Sequence, residues 1–418
     1  MMFHENIASH FHAQISISII PHTKEYIIMV TLALAGKPNC GKSTFYKAAT
    51  MAHAEVGNYP FTTIDANRGV AYVRSSCPCV ELKIQGCTAC HEGIRSIPID
   101  LIDVAGLVPD AHTGKGLGNQ FLDNIRLADA VIDIIDASGS TDIEGNPIDP
   151  GTSDPFEEVA MLKTELVMWV YGIIEKHWPK LKRQAQQKSF SMVGGVADIL
   201  AGLSIRPEQI TDTERECNIS LKLATPEDLL RFTEVLIMHA KPIIIAGNKA
   251  DVANQELRER LVAESIMLTS GEAEFALRSA TAAGLIAYHA GDTIFSIPDP
   301  DALSAPQKTA LAKIEQLMQE LSGTGVQQVL NHVVYDVLKY IVLYPVEDEH
   351  KFCDGQGRIL PDAFLMKQGT TPKDLAYRVH TDIGNGFLYA VDAKTNMRIK
   401  EQTELKNGDI IKIVSTAK

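Results

Sequence analysis

A glycine-rich segment near residue 40 has the residue types and the spacing of a phosphate-binding loop. It consists of Gly36, Lys37, Pro38, Asn39, Cys40, Gly41, Lys42 and Ser43, followed by Thr44. Two glycines separated by four residues and followed by Lys-Ser allow backbone N–H groups to surround phosphate oxygens. Lys42 can then reach the β- and γ-phosphates, and the Ser43 hydroxyl can ligate Mg²⁺. The segment therefore predicts a nucleoside triphosphate site.

A second motif, Asp103-Val104-Ala105-Gly106, predicts the metal side of the same site. An aspartate at the end of a strand can hold Mg²⁺ through water, and the Gly106 N–H can meet the γ-phosphate. The motif is weak by itself, but its position after a phosphate-binding loop favours this role over an ordinary turn.

A third motif, Asn248-Lys249-Ala250-Asp251, predicts which base is bound. The Asp251 carboxylate can accept hydrogen bonds from the ring N–H and the amino group of guanine, whereas adenine offers no such pair of donors. The motif therefore favours a guanine nucleotide. Ser270-Gly271, further along the chain, can contact the base carbonyl or can be an ordinary turn at the end of a strand.

Buried strands must position these loops. Near-continuous apolar runs, each followed by a loop and a helical pattern, predict a parallel sheet covered by helices on both faces. Each motif follows the carboxyl end of a strand, the edge at which open α/β sheets bind ligands. The predicted fold class is the α/β sheet of P-loop NTPases, and its strands are Thr31–Ala35, Ile97–Ile102, Ala130–Asp136, Pro242–Ala246 and Ser265–Leu268.

The spacing of these runs divides the chain. About a hundred residues separate the third strand from the fourth, far more than an ordinary crossover, and they contain helical apolar spacing over Glu157–His177. Short alternating runs and glycine turns mark the C-terminal part. The predicted regions are an extension that is disordered or belongs to a wrongly assigned start (1–28), a nucleotide-binding domain in two parts (29–140 and 241–300), a helical insertion (141–240), a helical connection (301–342) and a small β domain (343–418).

The composition of the 418-residue chain is that of an ordinary globular protein, with 45% hydrophobic and 22% charged residues. The net charge of −13 argues against a protein that coats nucleic acid by bulk charge. No apolar run approaches the ~20 residues that a membrane helix requires. We therefore expect a cytoplasmic protein without a membrane partner, and a monomer.

Four cysteines lie close together in the sequence: Cys77, Cys79, Cys87 and Cys90. Four thiols can form a tetrahedral, structural Zn²⁺ site. The spacing of the first pair is tighter than the usual C-x2-C. One or two redox pairs, or small apolar residues at the tip of a hairpin, are the alternatives.

Together the nucleotide motifs resemble those of the Obg-related GTPases, specifically the archaeal YchF-type branch. Tyr59–Ile64 resembles the first switch of that family, which implies Thr63 as a Mg²⁺ ligand with a catalytic role, and residues 104–119 resemble the second switch. The chain from about residue 343 onward, with the segments 365–367 and 369–376, resembles a TGS domain, a β-grasp module. The resemblance covers residues 29–418 and implies a ribosome, tRNA or rRNA partner.

Two features of the chain bear on base choice and turnover. Bacterial and eukaryotic YchF proteins and Obg-like ATPases have a degenerate base motif and use ATP, whereas the motif is intact here, so we predict GTP. Leu107 stands where many GTPases have a glutamine that orients water, so hydrolysis should be slow. By the resemblance, Asn39 can help to hold K⁺, although it can also simply stabilise the turn. His112 can orient water or be an ordinary solvated residue.

Two functional hypotheses follow. In the first, GTP orders the loops that carry Thr63 and Asp103, hydrolysis releases them, and the other domains transmit the state to a ribosome. In the second, the chain is a nucleotide-responsive, RNA-binding stress sensor with negligible turnover, an option that Leu107 keeps open. The basic stretch Lys176–Arg183, with Lys188 beyond it, can contact RNA or can be a solvated helix end.

Overall fold

The computed structural model describes residues 29–51, 67–104, 106, 124–187 and 189–417. Two β-sheets organise this part of the chain. The larger has six strands in the order β2-β3-β1-β4-β5-β6. Its strands are β1 (Thr31–Ala35), β2 (Arg68–Ser76), β3 (Ile94–Asp103), β4 (Ala130–Asp136), β5 (Ile243–Asn248) and β6 (Met267–Leu268).

The five strands predicted from apolar runs pair in parallel, with β1 between β3 and β4. Every residue of β1 and of β4 is buried, as the continuous apolar runs predicted. The carboxyl ends of β1, β3 and β5 therefore carry the three motif loops to one edge of the sheet, and the predicted P-loop fold is confirmed.

The sheet differs from the prediction in one strand. Arg68–Ser76 forms β2, which pairs antiparallel with β3 over its whole length and makes the sheet mixed rather than purely parallel. β2 lies at the edge, and only Ala71 and Val73 within it are buried. An edge strand of this kind alternates between faces and lacks the continuous apolar run that identified the other strands.

Helices cover the sheet and form the segment between β4 and β5. In chain order they are α1 (Lys42–Thr50), α2 (Pro78–Glu81), α3 (Phe156–Gln184), α4 (Met192–Leu200), α5 (Pro207–Cys217), α6 (Pro226–Ala240), α7 (Gln255–Ala263), α8 (Gly271–Ala282), α9 (Ala305–Leu321) and α10 (Val326–Asn331). α3 continues seven residues beyond the predicted end at His177, through Pro179, where buried Leu181 packs against the segment that begins α4. A π-helical stretch, His332–Val337, follows α10. Among the described residues no helix is both long and apolar enough to cross a bilayer.

The second sheet has five strands in the order β10-β9-β11-β7-β8. Its elements are β7 (Tyr340–Val346), β8 (Phe364–Lys367), α11 (Pro372–Val379), α12 (Thr381–Asn385), β9 (Phe387–Asp392), β10 (Met397–Ile399) and β11 (Ile410–Ser415). α11 begins at Pro372 because Thr371 and Asp374 form a capping box before it. β7 begins at Tyr340, three residues before the proposed domain boundary. One hydrophobic cluster joins the two sheets, with Val73 and Cys77 on one side and Tyr344 and Val346 on the other.

Candidate nucleotide site

The phosphate-binding loop lies between β1 and α1, as its sequence predicts. Gly36 and Gly41 have φ values of 142° and 91°, which favour glycine. A Cβ atom on Gly36 would lie 2.3 Å from the carbonyl oxygen of Ile134, so the loop approaches β4 too closely for a side chain. Among the described residues no side chain caps the N-terminus of α1, so the N–H groups of its first turn can receive an anion.

The phosphate and metal motifs meet beside this loop. The Lys42 amine donates a hydrogen bond to the Asp103 carboxylate, and the Ser43 hydroxyl donates to Asp103 Oδ2 at 3.2 Å. The side chain of Lys42 is 10% exposed and that of Asp103 18%, so both are accessible from the edge of the sheet. A hydroxyl and a carboxylate side by side are oxygen donors of the kind that Mg²⁺ requires, so the residues present fit this ion.

Gly106 lies against the phosphate-binding loop, where a Cβ atom on it would be 3.2 Å from Cγ of Pro38. The Asp103–Gly106 motif therefore lies next to the phosphate-binding loop, which the contact of the Gly106 N–H with a γ-phosphate requires. Thr63, Leu107 and His112 lie outside the described residues.

Lys37 occupies a position that sequence analysis did not foresee. Its side chain is fully buried, and its amine lies 2.8 Å from Glu158 Oε1 at the start of α3. The amine also donates to the carbonyl oxygens of Thr141 at 2.9 Å and Asp142 at 2.8 Å. Lys37 therefore offers a phosphate only its backbone N–H, and its side chain ties the loop to the segment after β4.

Two carboxyls at this site are buried, namely Glu158 of the ion pair and the nearby Asp133. Burial, with a smaller contribution from the charge of Glu158, raises the pKa of Asp133 to about 8. Burial likewise raises the pKa of Glu158, although the hydrogen bond and charge of Lys37 oppose the change. Asp133 Oδ2 has no hydrogen-bond partner within the part of the chain that the structure describes, which is consistent with a protonated carboxyl at neutral pH.

Asn39 has a positive φ of 61°, and its side-chain amide nitrogen donates to the carbonyl oxygen of Gly145 at 3.0 Å. This contact joins the phosphate-binding loop to the segment after β4, so it is not a bond within the turn of the loop itself. A monovalent cation would be ligated by the amide oxygen, so the contact through nitrogen is compatible with that role.

Asn248 holds the base motif to the phosphate-binding loop and to the turn at Thr269–Gly271. Its amide nitrogen donates to the carbonyl oxygen of Cys40 at 3.1 Å. Its amide oxygen accepts from the Gly271 N–H at 2.9 Å and from the Thr269 hydroxyl at 3.3 Å. One side chain, 2% exposed, thus fixes three loops from distant parts of the sequence at one edge of the sheet.

Lys249 makes the next connection. Its amine lies 2.8 Å from Asp136 Oδ2 and 3.1 Å from the Ser140 hydroxyl. Although burial acts in the opposite direction, hydrogen bonds from Lys249, Ser138 and Thr141 lower the pKa of Asp136 below its ordinary value. This network was not predicted from the sequence. The signal that could have revealed it is the run of small hydroxyl residues, Ser138, Ser140 and Thr141, after the aspartate that ends β4.

Asp251 differs from its neighbours because its side chain is exposed and has no partner among the described residues. The Ser270 hydroxyl instead caps α8 by accepting from the Ala273 N–H at 3.1 Å. A Cβ atom on Gly271 would lie 3.0 Å from the backbone nitrogen of Phe45, so glycine allows α8 to approach α1. Asp251 is therefore the group of this loop that is left available to a ligand.

The four clustered cysteines also converge. All four Sγ atoms of Cys77, Cys79, Cys87 and Cys90 lie within 4.8 Å of one another, in the connection between β2 and β3. The basic stretch Lys176–Arg183 forms the end of α3. Its Lys182 amine bonds the carbonyl oxygen of Ala224 at 3.1 Å, whereas Lys176 and Lys180 are exposed; Lys188 lies outside the described residues.

The fold and the site define a P-loop nucleotide-binding protein with an appended C-terminal β domain. Residues 31–165 match the family described as 50S ribosome-binding GTPase, and residues 246–348 the YGR210-like, G4 motif-containing domain of Obg-like GTPases. Residues 353–415 match the TGS domain.

Relatives match nearly the whole chain. An uncharacterized GTP-binding protein of Methanocaldococcus jannaschii is 48% identical over 399 residues, which cover 93% of this chain and 100% of the relative. The ribosome-binding ATPase YchF of Bacillus subtilis is 34% identical over 368 residues, covering 86% of this chain and 87% of the relative. The crystal structure of a GTP-binding protein from Pyrococcus horikoshii matches with a TM-score of 0.72 at 36% identity, covering 93% of this chain and 100% of that one. The chain belongs to the YchF/Obg-like GTPase family, which confirms the resemblance seen in the motifs.

Proposed function

We propose that this chain binds guanine nucleotides, hydrolyses GTP slowly to GDP and phosphate, and acts as a nucleotide-dependent switch on the ribosome. The observation that carries the proposal is the arrangement of the base motif. Asn248 and Lys249 hold the loops together, whereas the Asp251 carboxylate beside them is exposed and has no partner in the described part of the chain.

The chemistry of Asp251 favours guanine over adenine. A carboxylate accepts hydrogen bonds from the two adjacent donors of the guanine edge, and it would lose its hydration without compensation against adenine. Sites built on such pairing reject the wrong partner by large factors, about 10⁴ at best. Relatives from Bacillus subtilis and rat are named ATPases, so base choice is the decisive part of the proposal.

Replacing Asp251 by asparagine tests the role of this carboxylate. The amide offers a donor where the carboxylate offered an acceptor, so D251N should bind xanthosine diphosphate more tightly than GDP. Displacement of a fluorescent nucleotide measures both affinities. D301N, the same change at an exposed aspartate of the 3₁₀ turn Pro300–Ala302, should keep the wild-type preference for GDP. Unchanged preference in D251N would contradict the assignment.

The proposed binding of the phosphates and Mg²⁺ follows from the contacts of Lys42. We propose that Lys42 leaves Asp103 for the β- and γ-phosphate oxygens when GTP binds, which frees the carboxylate. Ser43, Asp103 and, by family resemblance, Thr63 would hold Mg²⁺, which when bound neutralises charge on the phosphate oxygens. The backbone N–H groups of the phosphate-binding loop and of Gly106 would complete the anion site.

Slow turnover is proposed from Leu107, since a leucine side chain cannot orient water by hydrogen bonding. We propose that K⁺, with Asn39 as one ligand, and the ribosome raise the rate. GTP turnover measured in K⁺ and in Na⁺, with and without ribosomes, tests this. We expect the highest rate with K⁺ and ribosomes; no stimulation under any of these conditions would favour a nucleotide-responsive RNA-binding sensor with negligible turnover.

The ribosome is proposed as partner because the Bacillus subtilis relative is named ribosome-binding. We propose that the chain acts in the cytoplasm, as such a partner implies, and that it acts as a monomer. Co-sedimentation with ribosomes should be stronger with a non-hydrolysable GTP analogue than with GDP. Equal co-sedimentation in both states would contradict the switch.

A further inference from the structure

The four cysteines between β2 and β3 form a compact group of sulfur atoms. The Sγ atoms of Cys77 and Cys87 are 3.9 Å apart, those of Cys79 and Cys90 are 3.5 Å apart, and those of Cys87 and Cys90 are 3.7 Å apart. A Zn²⁺ ion with four sulfur ligands at about 2.3 Å has S···S edges of about 3.8 Å. The measured separations therefore match the edges of a zinc tetrathiolate.

The same distances argue against two disulfide pairs. A disulfide requires sulfurs about 2.05 Å apart. Here Cys87 is at similar distances from Cys77 and Cys90, so the sulfurs do not separate into two pairs. The geometry favours one shared centre for all four.

The backbone that carries the four sulfurs includes two residues in the left-handed region. Lys83 and Glu92 in this connection have φ values of 54° and 46°, unfavourable for residues with a side chain, so the loop needs tertiary contacts to hold its shape.

We propose that Cys77, Cys79, Cys87 and Cys90 bind one structural Zn²⁺ ion. Four Zn–S bonds form, and the four thiols release their protons to solvent. Four protein ligands leave no open position on the ion, so the site serves structure rather than catalysis.

The position of the cluster indicates what the ion stabilises. Cys87 Sγ lies 3.9 Å from the carbonyl oxygen of Ile359 in the C-terminal domain. Buried Arg95 follows the cysteine-bearing connection near the start of β3 and donates to the carbonyl oxygens of Leu360 at 2.8 Å and Pro361 at 2.6 Å. The zinc-bound loop therefore forms part of the surface against which residues 352–361 pack, and the ion braces the contact between the nucleotide-binding and TGS domains.

The metal content of the full-length protein tests the proposal. Protein purified under reducing conditions without chelator should contain about one zinc ion per chain, as measured by elemental mass spectrometry. Titration with an organomercurial, followed with a zinc-sensitive dye, should release this zinc as about four thiols react. After zinc removal, protease should cut within residues 82–93 and 352–361 at least about tenfold faster, since bracing is lost.

Variants separate this cluster from other cysteines. C87S/C90S should retain less than about a tenth of the wild-type zinc, since two of four ligands are lost. C217S, the same change at a buried cysteine of α5, should keep the wild-type content. The measurements on wild-type protein stand even if the double variant fails to fold, and none involves nucleotide, so the result is independent of the proposed GTPase function.

Three results would overturn the proposal. They are a wild-type protein with four free thiols and no zinc, a protein with disulfides among these cysteines, and a protein with stoichiometric iron in place of zinc. Zinc that persists in C87S/C90S would equally refute these ligands. Unchanged cleavage of 352–361 after zinc removal would refute the bracing role.

Discussion

Replacing Asn248 by alanine is expected to weaken both folding and nucleotide binding. The side chain satisfies the buried Cys40 carbonyl and the Gly271 N–H. A buried polar group that loses its partner costs about 1–3 kcal/mol, so the loss of both should lower the free energy of unfolding by about 2–4 kcal/mol after partial relaxation. The phosphate and base loops are then no longer fixed to each other. Because about 1.4 kcal/mol corresponds to tenfold in affinity, we expect at least a tenfold rise in the Kd for GDP.

Urea unfolding of nucleotide-free protein and titration with a fluorescent GDP measure the two effects separately. N331A is the matched control, since the Asn331 amide also bridges backbone groups, accepting from the Arg74 N–H at 2.9 Å and donating to its carbonyl oxygen at 3.3 Å. That variant should lose stability by about 1–3 kcal/mol and keep its affinity for GDP. If N248A loses stability but binds GDP like the wild type, the argument that Asn248 aligns the loops is refuted.

Three further perturbations test other parts of the structure. G36A should prevent nucleotide binding or folding because its Cβ atom would lie 2.3 Å from a backbone carbonyl oxygen of β4. G172A is the control: no described residue lies within 4 Å of the added atom, so it should stabilise α3 by about 0.5–1 kcal/mol in thermal unfolding. The Asp133 carboxyl stays protonated to about pH 8 in the folded protein, whereas in the unfolded protein it ionises near pH 3.8. The free energy of unfolding should therefore fall as the pH rises from about 3.8 to about 8. D133N should make this fall smaller and leave only the part that is due to Glu158. R95A removes two hydrogen bonds to carbonyls of the C-terminal domain and should speed proteolysis of residues 352–361 without changing GDP affinity; protection equal to that of the wild type would contradict its docking role.

The sequence predicts the elements whose signals are local. β1, β4 and the motif loops follow from continuous apolar runs and from short-range glycine and polar spacing, and the structure has them where expected. β2 escaped prediction because an edge strand buries only part of one face.

The contacts that organise the site come from residues far apart in the chain. The bond from Lys37 to Thr141 spans 104 positions, and the bond from Arg95 to Leu360 spans 265. No local pattern states that a lysine inside a phosphate-binding motif turns away from the phosphates to meet Glu158. The cysteine spacing left three alternatives open, and only the fold places all four sulfurs around one point.

Competition between GTP and ATP for the nucleotide site tests the central claim most directly. Labelled GDP bound to the wild-type chain with Mg²⁺ is displaced by increasing amounts of each nucleotide at fixed salt. The free Asp251 carboxylate predicts that ATP competes at least about 100-fold more weakly than GTP. Equal displacement by the two nucleotides, or stronger displacement by ATP, would contradict guanine recognition by this chain.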